Sequence, residues 1–367
     1  MTSPSSVPAK PLLATLRVGV VGVGLMGADH VQRLATRIAG AELVAIADPD
    51  TVRTDALVAD LGTFGYPDVR VHADPLDLIA DEGVDAVLLA SPGSVHTEQL
   101  LACIERGTPV LCEKPLTMDS ASSLEVIAAE RAGGRPLIQV GFMRRFDPEY
   151  AQLKRLLDSG RWGRTLLLHQ IHRNKAVPHP DFRSEMIVRD SLVHEVDCAR
   201  FLLGEEIASI QVISPTPTTH AQEGVVDPQV SIFRMASGAV VTNEVFVNSR
   251  TGYEVRCEAV AETGSAIIGR PAGGIYTTSA DPDGGDGAWG GPVVPDYRDR
   301  FERAYDLEVQ AWVDATRKGE LVGPTSWDGY ASTVVCTAGM ESLVSGEPVE
   351  VTLDRHVLTQ TPPRSSS

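Results

Sequence analysis

Three clusters in this 367-residue sequence combine residue types that can do chemistry. Gly22-Val-Gly24-Leu25-Met26-Gly27 spells G-x-G-x-x-G between an apolar run, Arg17–Val21, and a helical pattern. The first glycine permits a tight turn, the second admits a pyrophosphate against the backbone, and the third lets helix and strand pack closely. The helix that follows offers N–H groups and a positive dipole end to phosphates. Asp48 ends the second apolar run. A carboxylate there accepts hydrogen bonds from ribose and repels a 2′-phosphate, which favours NAD over NADP. No arginine is obviously placed to hold such a phosphate, Arg53 being the nearest in sequence. The plainer alternative is a glycine turn with a chance strand-end Asp.

The second cluster, Cys112-Glu113-Lys114-Pro115, closes another apolar run. Ligands of open α/β sheets bind beyond the carboxyl ends of the strands, so the Lys114 ammonium can hold a hydroxyl and stabilise the alkoxide that develops as hydride leaves. A surface lysine before a turn-forming proline is the competing account. The third cluster runs from Asp190 through His194 to Asp197. At i, i+4 and i+7 these share one face of a helix that Asp190 is expected to open. A histidine held by a carboxylate serves as a general base near neutral pH. Asp190 as a simple N-cap, and the trio as metal ligands, stand beside that account. The absence of H-E-x-x-H or a cysteine partner speaks against metal.

The elements that must position these groups fall into two textures. Up to Gly141, apolar runs at 17–21, 42–47, 85–90, 109–112 and 136–140 alternate with helical stretches such as Val52–Leu61 and Ser120–Ala132. That is the pattern of a parallel sheet covered on both faces. Beyond Gly141, longer strands at 165–172, 230–233, 239–247, 253–260 and 265–268 are joined by glycine-containing turns, as in an antiparallel sheet. Two helices, 301–317 and 329–344, close the chain, and the Gly/Pro/Asp-rich stretch 273–295 reads as a surface loop. The expected fold is α/β: a Rossmann dinucleotide-binding domain at 16–142, then an α+β domain with a large, mostly antiparallel open sheet at 143–356. Disordered tails are expected at 1–15 and 357–367.

Composition narrows the function. The formal charge of −17 argues against a nucleic-acid partner held by phosphate neutralisation and against general attraction to anionic membranes. No apolar run approaches 18 residues, and the Ser/Pro-rich start lacks a signal pattern, so a cytoplasmic protein is expected. Cys103, Cys112, Cys198, Cys257 and Cys336 are scattered and odd in number, which reads as buried free thiols.

The pairing of Gly22–Gly27 with Glu113-Lys114-Pro115 resembles the Gfo/Idh/MocA oxidoreductase family. Val140-Gly-Phe-Met-Arg-Arg-Phe-Asp147, His172-Arg-Asn174, Asp190–Asp197, Val247-Asn, Gly252-Tyr253, Tyr305–Gln310 and Gly323–Tyr330 are more specific, and are similar to that family's bacterial inositol 2-dehydrogenases. The likeness runs from about Leu16 to about Val351. It implies a homotetramer and NAD-dependent oxidation of myo-inositol to scyllo-inosose. It also implies a catalytic set of Lys114 (oxygen clamp), His194 (base) and Asp190 (orienting His194). Arg144, His172, Asn174 and Tyr253 match positions lining the polyol site. Ser91, His96 and Glu113 match positions along the cofactor. Each of these has an ordinary structural alternative, such as a salt bridge for Arg144 or sheet packing for Tyr253. The Ser91–His96 loop and the 273–295 stretch depart from the family pattern, so scyllo-inositol, an amino-cyclitol or a sugar is an alternative substrate. An NAD-dependent glycosidase and a non-catalytic sensor are more distant alternatives. A sensor is expected to lack the base or the clamp, and both are present.

Overall fold

The computed structural model describes residues 15–359 except Phe64, Pro67, 178–179 and 270–293. The expected tails lie outside the described residues apart from Thr15 and 357–359, as does the 273–295 stretch as far as Val293; His356–Thr359 form a short helix where a disordered tail was expected.

The first unit alternates strand and helix: β1 (Leu16–Val21), α1 (Leu25–Thr36), β2 (Ala41–Ala47), α2 (Thr51–Thr63), β3 (Arg70–His72), α3 (Pro75–Ala80), β4 (Ala86–Leu89), α4 (His96–Arg106), β5 (Val110–Glu113), α5 (Ser120–Ala132) and β6 (Ile138–Gly141). The strands form a parallel sheet in the order β3-β2-β1-β4-β5-β6. The order reverses between β1 and β4, which opens the crevice where such sheets bind dinucleotides. Strands β4 and β5 are buried at every position because helices cover both faces, and that is why they read as unbroken apolar runs. The sequence reading missed β3. At three residues on the sheet edge, with Arg70 and Val71 exposed, it is too short to show a period.

The second unit carries α6 (Pro148–Asp158), β7 (Thr165–Arg173), α7 (Ser184–Met186), a π-helical turn (Ile187–Leu192), α8 (Val193–Leu203), β8 (Ile207–Ile213), β9 (Gln229–Met235), β10 (Val240–Phe246), β11 (Glu254–Ala261) and β12 (Ser265–Ile268). With β13 (Val349–Glu350) these strands build a seven-stranded sheet ordered β12-β11-β7-β10-β9-β8-β13. Every pairing is antiparallel except β7 with β10. Burial alternates along β7, so Leu168, Gln170 and His172 lie on the covered face.

Two long helices follow, α9 (Tyr297–Lys318) and α10 (Ser326–Ser345). The chain returns in them: Asp306–Tyr330 and the segment from Arg355 cluster with the first unit. Val309, Trp312 and Val313 of α9 are buried in the same core as Leu16, Val18, Val31 and Leu34. Burying side chains of this size contributes roughly 1.5–3 kcal/mol each.

Candidate active site

The nucleotide turn is built from backbone. Gly22 has a φ of +82°, and a Cβ there would meet the Ser91 nitrogen at 2.5 Å. A Cβ at Gly27 would sit 1.8 Å from the Gly22 carbonyl oxygen, so α1 packs against β1 only with glycine at that position. Gly24 differs: a Cβ there meets nothing within 4 Å. It is the N-cap of α1, has no side-chain cap, and no acid lies in the helix's first turn. Open N–H groups, an open cradle and a positive helix end fit a dinucleotide pyrophosphate. Leu25, 61% exposed, and Met26 begin the helix at this opening.

Asp48 closes the turn from the side. Its Oδ2 accepts from Val23 N at 2.8 Å, and its Oδ1 accepts from Asp50 N at 2.9 Å. Lone pairs are left over for ribose hydroxyls. One expectation needs correcting here. Arg53 is not merely near in sequence: its Nη1 stands 3.3 Å from Asp48 Oδ2. Helix α2, starting at Thr51, turns the side chain back over the strand end.

Lys114 follows β5 directly and is half-buried. Its N–H donates to Glu113 Oε2 at 3.2 Å, and Glu113 Oε1 lies 2.9 Å from His30 Nε2. His30 Nδ1 is 3.4 Å from Arg33 Nη1, which can only donate. The His30 ring is therefore an Nδ1 acceptor and an Nε2–H donor, and it anchors the carboxylate that shapes the Lys114 turn. His96 is wholly buried. Its Nδ1 is 2.9 Å from the Pro115 carbonyl and its Nε2 is 2.9 Å from the Ser91 carbonyl. Burial holds this imidazole below its ordinary pKa. Its ring thus ties the loop after β4 to the turn after β5. Ser91 gives its hydroxyl to Gln99 at 2.6 Å.

The second unit gathers a buried polar cluster from four separate stretches. His172 on β7 lies edge-on to His194 of α8, with ring centroids 6.1 Å apart, and to Tyr253, at 5.6 Å. Arg144 Nη2 is 3.2 Å from His172 Nδ1, and Arg144 forms an ion pair with Glu195. His172, His194, Arg144 and Tyr253 are each at most 7% exposed. Burial pushes the Tyr253 phenol up to about 12, with Arg144 pulling the other way. Burial also works against the charges of Arg144 and Glu195, but each holds the other ionised: the guanidinium is raised well above its usual range and the carboxyl is held below its own. Asn174 continues β7, and its buried Oδ1 has no hydrogen-bond partner among the described residues.

Helix geometry corrects a further expectation. Asp190 neither opens the helix nor caps it: the chain is helical from Ser184, and Asp190 sits inside the π-helical turn. A π turn is wider than an α turn, so this segment departs from the single ideal α-helix on which the i, i+4, i+7 spacing was drawn. Asp190 makes a two-pronged ion pair with Arg189, at 2.7 and 2.8 Å. Asp197 is taken by Arg145, whose Nη2 is 2.6 Å from Oδ1. Among the described residues, no group of three His, Cys, Asp or Glu side chains is placed to hold a metal ion. The five cysteines are all buried free thiols.

Comparison with known proteins gives this geometry a lineage. Residues 16–142 match the oxidoreductase family with an NAD-binding Rossmann fold, and residues 150–267 match the Gfo/Idh/MocA C-terminal domain. The chain belongs to the Gfo/Idh/MocA family. NAD is the cofactor of its first domain. Inositol 2-dehydrogenase of Mycolicibacterium smegmatis is 54% identical over 346 residues, covering 92% of this chain and 97% of that protein. A crystal structure of Lactobacillus casei myo-inositol dehydrogenase with NAD(H) and myo-inositol has a TM-score of 0.83 and 33% identity, covering 93% of this chain and 98% of that one. The scyllo-inositol dehydrogenase of the same organism, with NAD(H) and scyllo-inositol, has a TM-score of 0.79 at 24% identity over 92% and 99%, and shares the fold.

Two polar residues of this Gfo/Idh/MocA protein, His30 and Glu195, escaped the sequence reading, and Arg53 was named there without its contact to Asp48. His30 lies on the helix after the glycine turn, one turn past Gly27, but nothing in sequence pairs it with Glu113. Arg53 carried a signal, since α2 begins two residues before it. Glu195 directly follows His194 and looked like an ordinary acidic helix residue. Its complete burial is what sets it apart.

Proposed function

We propose that this chain is an NAD-dependent inositol 2-dehydrogenase that oxidises one ring hydroxyl of myo-inositol to the ketone of scyllo-inosose. The observation that carries this is the buried cluster of His172, His194, Tyr253 and Arg144 in a chain 54% identical to an inositol 2-dehydrogenase. A compact patch of donors and acceptors suits a ligand whose every ring carbon bears a hydroxyl.

Bound NAD supplies the hydride acceptor; Gly22, Gly24, Leu25, Met26 and Gly27 cradle its phosphates, and Asp48 takes its ribose. Ser91, His96 and Glu113 shape the loops along it. Lys114 holds the reacting oxygen and stabilises its alkoxide character. His194 removes the hydroxyl proton as general base, and Asp190 orients it. Arg144, His172, Asn174 and Tyr253 hold the other hydroxyls.

The assembly is a homotetramer through the second face of the large sheet, where Ile171, Ile232 and Phe246 are half-exposed. We place the protein in the cytoplasm, where buried thiols stay reduced. Among the described residues no helix is long and apolar enough to cross a membrane.

Absorbance of NADH formed from NAD with myo-inositol tests the assignment. Scyllo-inositol run in parallel distinguishes the sister activity. No net NADH from either, with cleavage of a glycoside instead, would replace this function with the glycosidase one.

A further inference from the structure

We infer that Glu195 is a positioning residue: it fixes the His172 ring with its proton on Nδ1, leaving Nε2 as an acceptor for a polyol hydroxyl. This rests on the polyol-site assignment above.

The inference comes from a conflict at one nitrogen. His172 Nδ1 is 3.1 Å from Glu195 Oε2 and 3.2 Å from Arg144 Nη2. Oε2 can only accept, and Nη2 can only donate. With its proton, Nδ1 bonds to Glu195. Without it, Nδ1 accepts from Arg144 and turns a lone pair toward a carboxylate that is 0% exposed. Arg144 keeps its ion pair with Glu195, the neighbouring Tyr253 and the face of Phe301 in either arrangement. Oε2 has no comparable substitute: among the described residues its hydrogen-bond partner is His172. A buried ionised oxygen facing a lone pair is the costlier failure, so the proton belongs on Nδ1. In the neutral ring Nε2 then carries the lone pair, and a second-site carboxylate has chosen the tautomer. The ring abuts both His194 and Tyr253, so that acceptor lies within the cluster that holds the substrate. His172 thus receives a hydroxyl as donor, while Arg144 can only give hydrogen bonds.

The test is the ¹⁵N spectrum of histidine rings in the full-length protein at mildly alkaline pH, with the His172 signals assigned by their loss in His172→Gln. A protonated Nδ1 with an unprotonated Nε2 that shifts on adding myo-inositol is expected. The opposite tautomer overturns the inference. Glu195→Gln presents an amide that can donate to Nδ1 and so move the proton to Nε2. The KM for myo-inositol should then rise by about tenfold, one hydrogen bond's worth, with NAD affinity kept within about twofold. Glu195→Asp should restore most of the loss. A folded Glu195→Gln enzyme with an unchanged KM, or one with only kcat reduced, would show a merely structural carboxylate. If that variant does not fold, the wild-type ring decides. Failure of the wild type to reduce NAD with myo-inositol removes the function assignment and leaves the tautomer measurement standing.

Discussion

The nucleotide turn and the buried cluster of the second unit are made in opposite ways. The turn is local: six consecutive residues, Gly22 to Gly27, shape it, and its open groups are main-chain N–H groups at a helix start. The cluster is assembled from Arg144, His172, His194–Glu195 and Tyr253, side chains more than 100 residues apart at the extremes. Its charges are buried, and they hold together only because each has a partner. A backbone site tolerates most changes around it and fails at one glycine. A side-chain cluster instead spreads its vulnerability over every member.

The sharpest break in that contrast is removal of the proposed base. His194→Ala should lower kcat by about 10²–10⁴-fold with NAD affinity intact, and Lys114→Ala should behave likewise. Near-normal turnover in either variant, measured by NADH formation beside NAD titration, would remove that residue from the chemistry.

Next in size is the acid response of the cluster. Glu195 is fully buried; burial alone would raise its carboxyl, and Arg144 and His172 outweigh that and hold it below the usual carboxylate range. A depressed carboxyl stabilises the fold above its unfolded value and loses that contribution as pH falls through the folded one. Glu195→Gln should therefore cost about 3–5 kcal/mol at pH 7, because it strands the Arg144 charge. The deficit against wild type should shrink below about pH 4, as the wild-type carboxylate protonates. Urea unfolding of both proteins across that range reads the difference. A deficit that does not change with pH would mean the carboxylate's charge is not what matters.

The glycines sharpen the other half. Gly27→Ala forces a Cβ to 1.8 Å from the Gly22 oxygen and should both lower Tm and abolish tight NAD binding. Gly24→Ala meets no protein atom, so Tm should hold while NAD affinity falls by about tenfold or more, since one lost hydrogen bond is worth about that much. Equal NAD affinity in Gly24→Ala and wild type would place the pyrophosphate elsewhere.

Asp48→Ala should have the smallest effect, a narrowing of NAD preference over NADP by about tenfold in kcat/KM. Because Arg53 already touches Asp48, the narrowing should come from both sides: NAD weakens, and the freed guanidinium improves NADP. Steady-state kinetics with both cofactors would show an unchanged ratio if Asp48 does not meet the ribose.

Much of this was legible in the sequence where the signal is short-range. Buried parallel strands announce themselves as apolar runs, and Ser120–Ala132 is a helix with the bounds its pattern indicates. The strands at 230–233 and 239–247 are β9 and β10, an antiparallel pair as their Gly-containing turn indicates. Elements without a period of their own were not legible. Three-residue β3 was missed, and β8 was missed although it is seven residues long. The π turn around Asp190 was hidden because its sequence differs in no obvious way from an α-helix.

By itself the sequence determined the two sheet types, the glycine turn, Asp48 at a strand end and Lys114 past another. Each of these depends on the chain's own periodicity or on a residue's intrinsic φ/ψ freedom. Only the tertiary structure decided that Arg53 meets Asp48, that His30 braces Glu113, and that Glu195 joins Arg144 to His172. These are pairings of side chains through space. They are set by which elements pack together and by the cost of leaving a buried charge without a partner.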